Sequence, residues 1–109
     1  MKFKTYQDVV RPFASYPQIG HNPYYLTLGL CGESGEVAEK IKKIMRDHDG
    51  DFSQDATDEI IKELGDVLWY IQQLSWELGY TLEDVAAVNM IKLSSRADRG
   101  KLHGNGDNR

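Results

Sequence analysis

The chain has 109 residues, 40% of them hydrophobic, and a net charge of -4. That fits one domain with a modest core and disfavours a nucleic-acid binder, whose contact face would be basic. No apolar run approaches membrane-spanning length, the start MKFKTYQDVV lacks the apolar block of a signal peptide, and the single Cys31 excludes an intrachain disulfide. A soluble cytoplasmic protein is expected, with no nucleic acid or membrane among its partners and Cys31 as a small core residue.

The pattern predicts helices throughout. A first short helix is expected over Thr5–Ser15, with Thr5 and Asp8 as a capping box. Residues 16–21 form a connection containing Pro17 and Gly20. A second, longer helix starts at Asn22-Pro23, a good N-cap followed by a residue suited to the first helical position, and runs to about His48. Leu26, Leu30, Val37, Ile41 and Ile44 recur along it at helical intervals. A polar loop over residues 47–55 precedes a third helix, from about Ala56 to Leu78, with a stripe of Ile60, Leu64, Val67, Leu68, Ile71, Leu74 and Leu78. Gly79 stops it. A fourth helix opens with Thr81 as N-cap and Asp84 as its reciprocal partner, and continues to roughly Arg99. The tail GKLHGNGDNR has no periodicity and is expected to be irregular. No stretch alternates as a strand does, so the expected fold is all-α: a single-domain four-helix bundle over residues 1–109, with one short N-terminal helix and three longer ones.

Two acidic pairs stand out. Glu33 and Glu36 lie in E-S-G-E, and Glu63 and Asp66 in E-L-G-D. Each pair is at i,i+3 spacing, so both carboxylates share one helix face. Two such helices side by side would aim four carboxylates at one point, which like-charge repulsion and desolvation oppose unless a cation intervenes. Hard oxygen donors suit Mg²⁺, or alternatively Mn²⁺, and Mg²⁺ shares its shell with waters and substrate phosphates. Glu39 and Glu59 extend the acidic faces. Gly29, Gly32 and Gly35 recur at i,i+3 and Gly65 sits inside the second pair. Each costs about 1 kcal/mol in a helix relative to Ala, which predicts close helix approach or room for a ligand beside the acids.

A polyphosphate held by metal on one side needs cations and amide donors on the other. Lys40 lies one turn after Glu36, followed by Lys43. On the fourth helix Asn89, Lys92, Arg96 and Arg99 follow 3-4-3 spacing and line one face. Tyr70 is one turn past Asp66 and could stack on a nucleobase, whereas Trp69 is expected in the core. His21, just before the second helix, is a candidate contact for base or sugar. No histidine has helical spacing to another, which argues against zinc.

These residues also carry a resemblance. E-S-G-E-V-A-E-K with E-L-G-D-V-L-W-Y resembles the MazG-type all-α nucleoside triphosphate pyrophosphohydrolases, whose signature is E-x-x-E followed by E-x-x-D. The stretches LGLCGESGEVAEKIKK, KELGDVLWYI and NMIKLSSRADRGKLHGNGDNR resemble small single-domain members, including those of bacteriophages, for which the compartment would be the host cytoplasm. The resemblance implies Glu33, Glu36, Glu63 and Asp66 as Mg²⁺ ligands, Lys92 as a phosphate contact, Tyr70 as a base contact, and a homodimer or homotetramer with sites completed across subunits. Many members continue K-L-x-x-N, whereas here Arg96 stands at the Asn position and Asn89 is available from the preceding turn. The expected reaction is Mg²⁺-dependent hydrolysis of a (deoxy)nucleoside triphosphate to monophosphate and pyrophosphate, with Glu36 and Glu63 as the catalytic carboxylates. The alternatives are phosphoribosyl-ATP pyrophosphohydrolase-like activity and a non-catalytic helical interaction module.

Overall fold

The computed structural model describes residues 1–109. It is all-helical: α1 (Phe3–Val10), a 3₁₀ turn (Arg11–Phe13), α2 (Pro23–Asp47), α3 (Gln54–Glu77) and α4 (Leu82–Asp98). The expected element types and order hold; the boundaries of the first and third helices move. Helix α1 begins after Lys2, which makes no side-chain cap bond. The Thr5–Asp8 box does not form, because Thr5 lies inside the helix and Asp8 pairs with Lys4 at 2.6 Å. Pro12 cannot donate to the helical ladder, so the chain tightens into the 3₁₀ turn well before Ser15. Helix α3 starts before Ala56 because Ser53 caps it, its hydroxyl accepting from the Ala56 N–H at 3.2 Å.

The caps foreseen for α2 and α4 are present. Asn22 Oδ1 accepts from the Tyr25 N–H at 3.1 Å, with Pro23 at the first helical position. Thr81 and Asp84 form a reciprocal capping box.

Helices α2 and α3 form the main antiparallel hairpin. Its register is marked by Gly29 against Tyr70 and by Lys40 against Glu63. The buried apolar residues are few: Tyr16, Leu26, Ile44, Ile60 and Leu82. The C-terminal end of α3 instead gathers polar bonds. Glu77 accepts from the Tyr16 hydroxyl at 2.6 Å, the Gly20 N–H at 2.8 Å and the Asn22 N–H at 3.2 Å. Buried Gln73 donates to the Tyr16 hydroxyl, and buried Gln7 of α1 accepts from the Leu82 N–H that opens α4. Trp69 is half-buried rather than fully in the core, because its indole N–H reaches out to donate to the Val10 carbonyl at 3.3 Å. These bonds tie α1 and the connection after it to the hairpin.

Much apolar surface stays open. Leu28, Ile61, Val88, Met90 and Ile91 are each more than half exposed, and Leu64, Leu68 and Leu78 of the α3 stripe are also exposed. Cys31 is exposed rather than core, since it lies about 100° around α2 from Leu30 of the apolar stripe. The chain exposes 7929 Å², about 1,800 Å² more than the ~6,100 Å² of a compact monomer of its mass. Its radius of gyration, 16.8 Å, exceeds the ~13 Å expected at this length.

The tail has neither helix nor strand, yet it is tied down. Arg96, 5% exposed, donates to the Gly106 and Asp107 carbonyls at 3.2 and 2.8 Å, and Arg99 donates to the Arg109 carbonyl. Arg109 in turn bonds the carbonyls of Lys101, Leu102 and Gly106.

Candidate metal centre

The hairpin brings the two acidic pairs together. Carboxylate oxygens of Glu33, Glu63 and Asp66 all lie within 4.8 Å of one another. Glu36, exposed one turn along α2, stands outside this tight group but within its electrostatic reach. The geometry follows from spacing. Glu33 is on α2, Glu63 and Asp66 share one face of α3, and the antiparallel register sets them opposite each other.

Three carboxylates this close repel. Burial, then the charges of Asp66 and Glu63, then a hydrogen bond with Glu63 and the charge of Glu36 raise the Glu33 carboxyl above its ordinary value. Lys40 relieves part of the strain, its Nζ 3.4 Å from Glu63. The donor set, three to four carboxylates with no nitrogen or sulfur, fits a hard divalent cation.

Tyrosines close one side. The ring of Tyr70 packs on Gly29, where a Cβ would overlap its Cε1, Cζ and Cδ1. Tyr70's hydroxyl is pushed up by burial and then by Tyr25, Glu33 and Asp66, and Tyr6's by burial and then Asp66. Tyr6 of α1 is thus within electrostatic reach of Asp66. Nothing in its local sequence marks it, because the approach depends on how α1 folds back.

The other expected site residues fall elsewhere. Lys92 and Arg96 face the tail, where the Asp107 carboxylate lies 3.2 Å from Lys92 Nζ and 3.5 Å from Arg96 Nη2. Asn89 is exposed one turn before Lys92. None of the α4 cations pairs with the four carboxylates of its own chain. His21 sits beside Glu77, about 18 Å along α2 from Glu33 by helical rise. Glu39 pairs with Lys42 and Lys43, and Glu59 with Lys62, so neither joins the tight carboxylate group. Of the four glycines only Gly29 is closely approached; Gly32, Gly35 and Gly65 meet open space.

No helix is long and apolar enough to cross a membrane. Residues 21–100 match the model of the MazG nucleotide pyrophosphohydrolase domain, a span that contains all four carboxylates. The Gene 37 protein of Mycobacterium phage L5 is 45% identical over 114 residues, an alignment covering all of both chains. No solved structure matches the chain.

Proposed function

The chain belongs to the MazG nucleotide pyrophosphohydrolase family, and from that premise we infer that it hydrolyses a (deoxy)nucleoside triphosphate to the monophosphate and pyrophosphate in a Mg²⁺-dependent reaction. The observation that carries this reading is the convergence of Glu33, Glu63 and Asp66 within 4.8 Å. These three, with Glu36, would hold the cation. When bound, a divalent cation neutralises developing phosphate charge and lowers the pKa of water.

The side chains divide the remaining work. Glu36, exposed at the edge of the tight group, would accept the proton of the attacking water through a carboxylate oxygen not engaged by the cation, and Glu63 would be the second catalytic carboxylate, holding the cation on which that water is activated. Attack on the α-phosphorus breaks its bond to the bridging oxygen, and pyrophosphate leaves with that oxygen. Tyr70 offers a ring for the base. Lys40, next to Glu63, meets the phosphates. Asn89 and Lys92 would reach a substrate from a second copy; Arg96, buried and bonded to two tail carbonyls of its own chain, would have to release the tail to join them, and His21 would border the base or sugar only in such an assembly. The open apolar faces, with Leu28, Val88 and Ile91, support a homodimer or homotetramer. Such an enzyme would act in the cytoplasm, that of the host if the chain is of phage origin.

The test is product analysis after incubation with each NTP and dNTP, with Mg²⁺ or with EDTA. Monophosphate plus pyrophosphate, formed only with metal, is the expected result. Absence of turnover with every nucleotide, together with no thermal shift on adding Mg²⁺ and nucleotide, would move the reading to a non-catalytic module.

A further inference from the structure

Beyond the acidic group, the same hairpin continues into a cavity of about 180 Å³ lined by Lys40, Lys43, Ile44, His48, Ala56 and Glu59. Its cations come from one face of α2, because Lys40, Lys43 and Ile44 follow Glu36 at helical intervals. Lys40 belongs to both places, since it lines the cavity and lies 3.4 Å from Glu63. The cavity's one acid, Glu59, is drawn to Lys62 at 2.6 Å. Lys43 is held only loosely, 3.8 Å from Glu39. The α2–α3 hairpin thus has a chemical direction along its length. Tyr70 on Gly29 stands at one end, the carboxylates in the middle, and Lys40, Lys43 and His48 at the other.

We propose that this cavity is the subsite for the two distal phosphates, so that a nucleoside triphosphate lies along the hairpin with its base toward Tyr70 and its β- and γ-phosphates on Lys40, Lys43 and His48. The proposal rests on the pyrophosphohydrolase reading above and adds to it the orientation of the substrate and the site the leaving pyrophosphate vacates. Helical rise puts Lys40 ~6 Å and Lys43 ~10 Å beyond Glu36. A lysine's flexible arm covers the rest of the distance to a polyphosphate anchored at the carboxylates. The alternative cations, Lys92 and Arg96, already face the Asp107 carboxylate, and an incoming phosphate would have to displace it. Lys40 and Lys43 have no such competitor from the tail.

Calorimetric titration of the full chain in Mg²⁺ tests this, with inorganic pyrophosphate and, separately, a nucleoside monophosphate as probes. Lys43→Ala should weaken pyrophosphate binding about tenfold, as expected for loss of one charge-assisted contact, and Lys43→Glu should weaken it further. Lys43→Arg should restore it, and monophosphate binding should stay unchanged throughout. Lys43 is exposed, and circular dichroism checks that each variant keeps its helices. Wild-type pyrophosphate affinity in Lys43→Ala, or loss of it in Lys92→Ala instead, overturns the proposal while leaving hydrolysis standing. A wild-type protein that binds neither pyrophosphate nor nucleotide and turns nothing over brings down the functional reading as well.

Discussion

The ring of Tyr70 occupies the space that a side chain at Gly29 would need. Glycine in the second turn of α2 is thereby explained by packing, against a helix-propensity cost of about 1 kcal/mol. Gly29→Ala should lower stability, because overpacking costs ~1–3 kcal/mol and exceeds the propensity gain. It should also raise KM by displacing the ring. In a Tyr70→Ala background the same substitution should become stabilising. A double-mutant cycle by urea unfolding measures this, and additive effects would show that the ring is not what excludes a side chain there.

Glu33 should behave as a charge the fold tolerates for the sake of a ligand. Burial and then its acidic neighbours hold its carboxyl above the ordinary value. Its contribution therefore favours folding at low pH and is lost as pH rises through the raised value. At neutral pH the metal-free Glu33→Gln protein should melt no lower than wild type. Wild type should gain about 2.7 kcal/mol when Mg²⁺ reaches a hundredfold excess over its Kd, and the variant should gain far less. Thermal melts with Mg²⁺ and with EDTA read both effects, and an equal Mg²⁺ gain in the two proteins would remove Glu33 from the ligand set.

Glu77 has the opposite sign. Burial alone would raise its carboxyl, but donors from Tyr16, Gly20 and Asn22, with His21 nearby, together hold it below the ordinary 4.5. Stability from this group is therefore present above pH 4.5 and lost as pH falls through the depressed value. Glu77→Gln should cost on the order of 2 kcal/mol at pH 7, since the acceptor of three bonds loses its charge. The gap from wild type should shrink below pH 4. Urea unfolding at both pH values tests it, and a gap independent of pH would mean the charge is not what matters.

Much of this was legible in the sequence because it is local. Asn22-Pro23 and Thr81 with Asp84 set helix starts through bonds three residues long, and the i,i+3 acids needed only two helices side by side. What escaped depends on distant chain segments. Tyr6 comes within electrostatic reach of Asp66 only after α1 folds back, and Glu77 collects Tyr16, Gly20 and Asn22 only once the connection wraps the end of α3. The Thr5–Asp8 box failed because Lys4 competes for Asp8 and Pro12 shortens the helix. Cys31 could not be placed from an apolar stretch alone, since the α2 stripe leaves it about 100° out of phase.

The open face of α4 makes self-association measurable. Val88, Met90 and Ile91 are each more than 60% exposed, and patches of that kind mark interfaces. Ile91→Asp should shift sedimentation from a larger species toward monomer and lower the melting temperature, with the helical content of the remaining monomer reduced. A wild-type protein that sediments as a monomer at micromolar concentration would exclude the assembly.

The tail's hold on α4 runs through Arg96. Its guanidinium is buried and bonds two tail carbonyls, while Asp107, largely exposed, pairs with it and with Lys92. Arginine is suited to this because one planar fork serves several acceptors. Arg96→Ala removes both bonds from α4 and leaves the Gly106 carbonyl only its bond from Arg109, so the segment after Gly100 should open. Trypsin should then cut rapidly after Lys101, which wild type protects through the bond from Arg109 Nε to the Lys101 carbonyl. Asp107→Asn, which keeps the backbone bonds to Arg96, should leave cleavage near the wild-type rate. Mass spectrometry of timed digests separates the two variants. Equal cleavage in wild type and Arg96→Ala would show that the tail is held by Arg99 and Arg109 without Arg96.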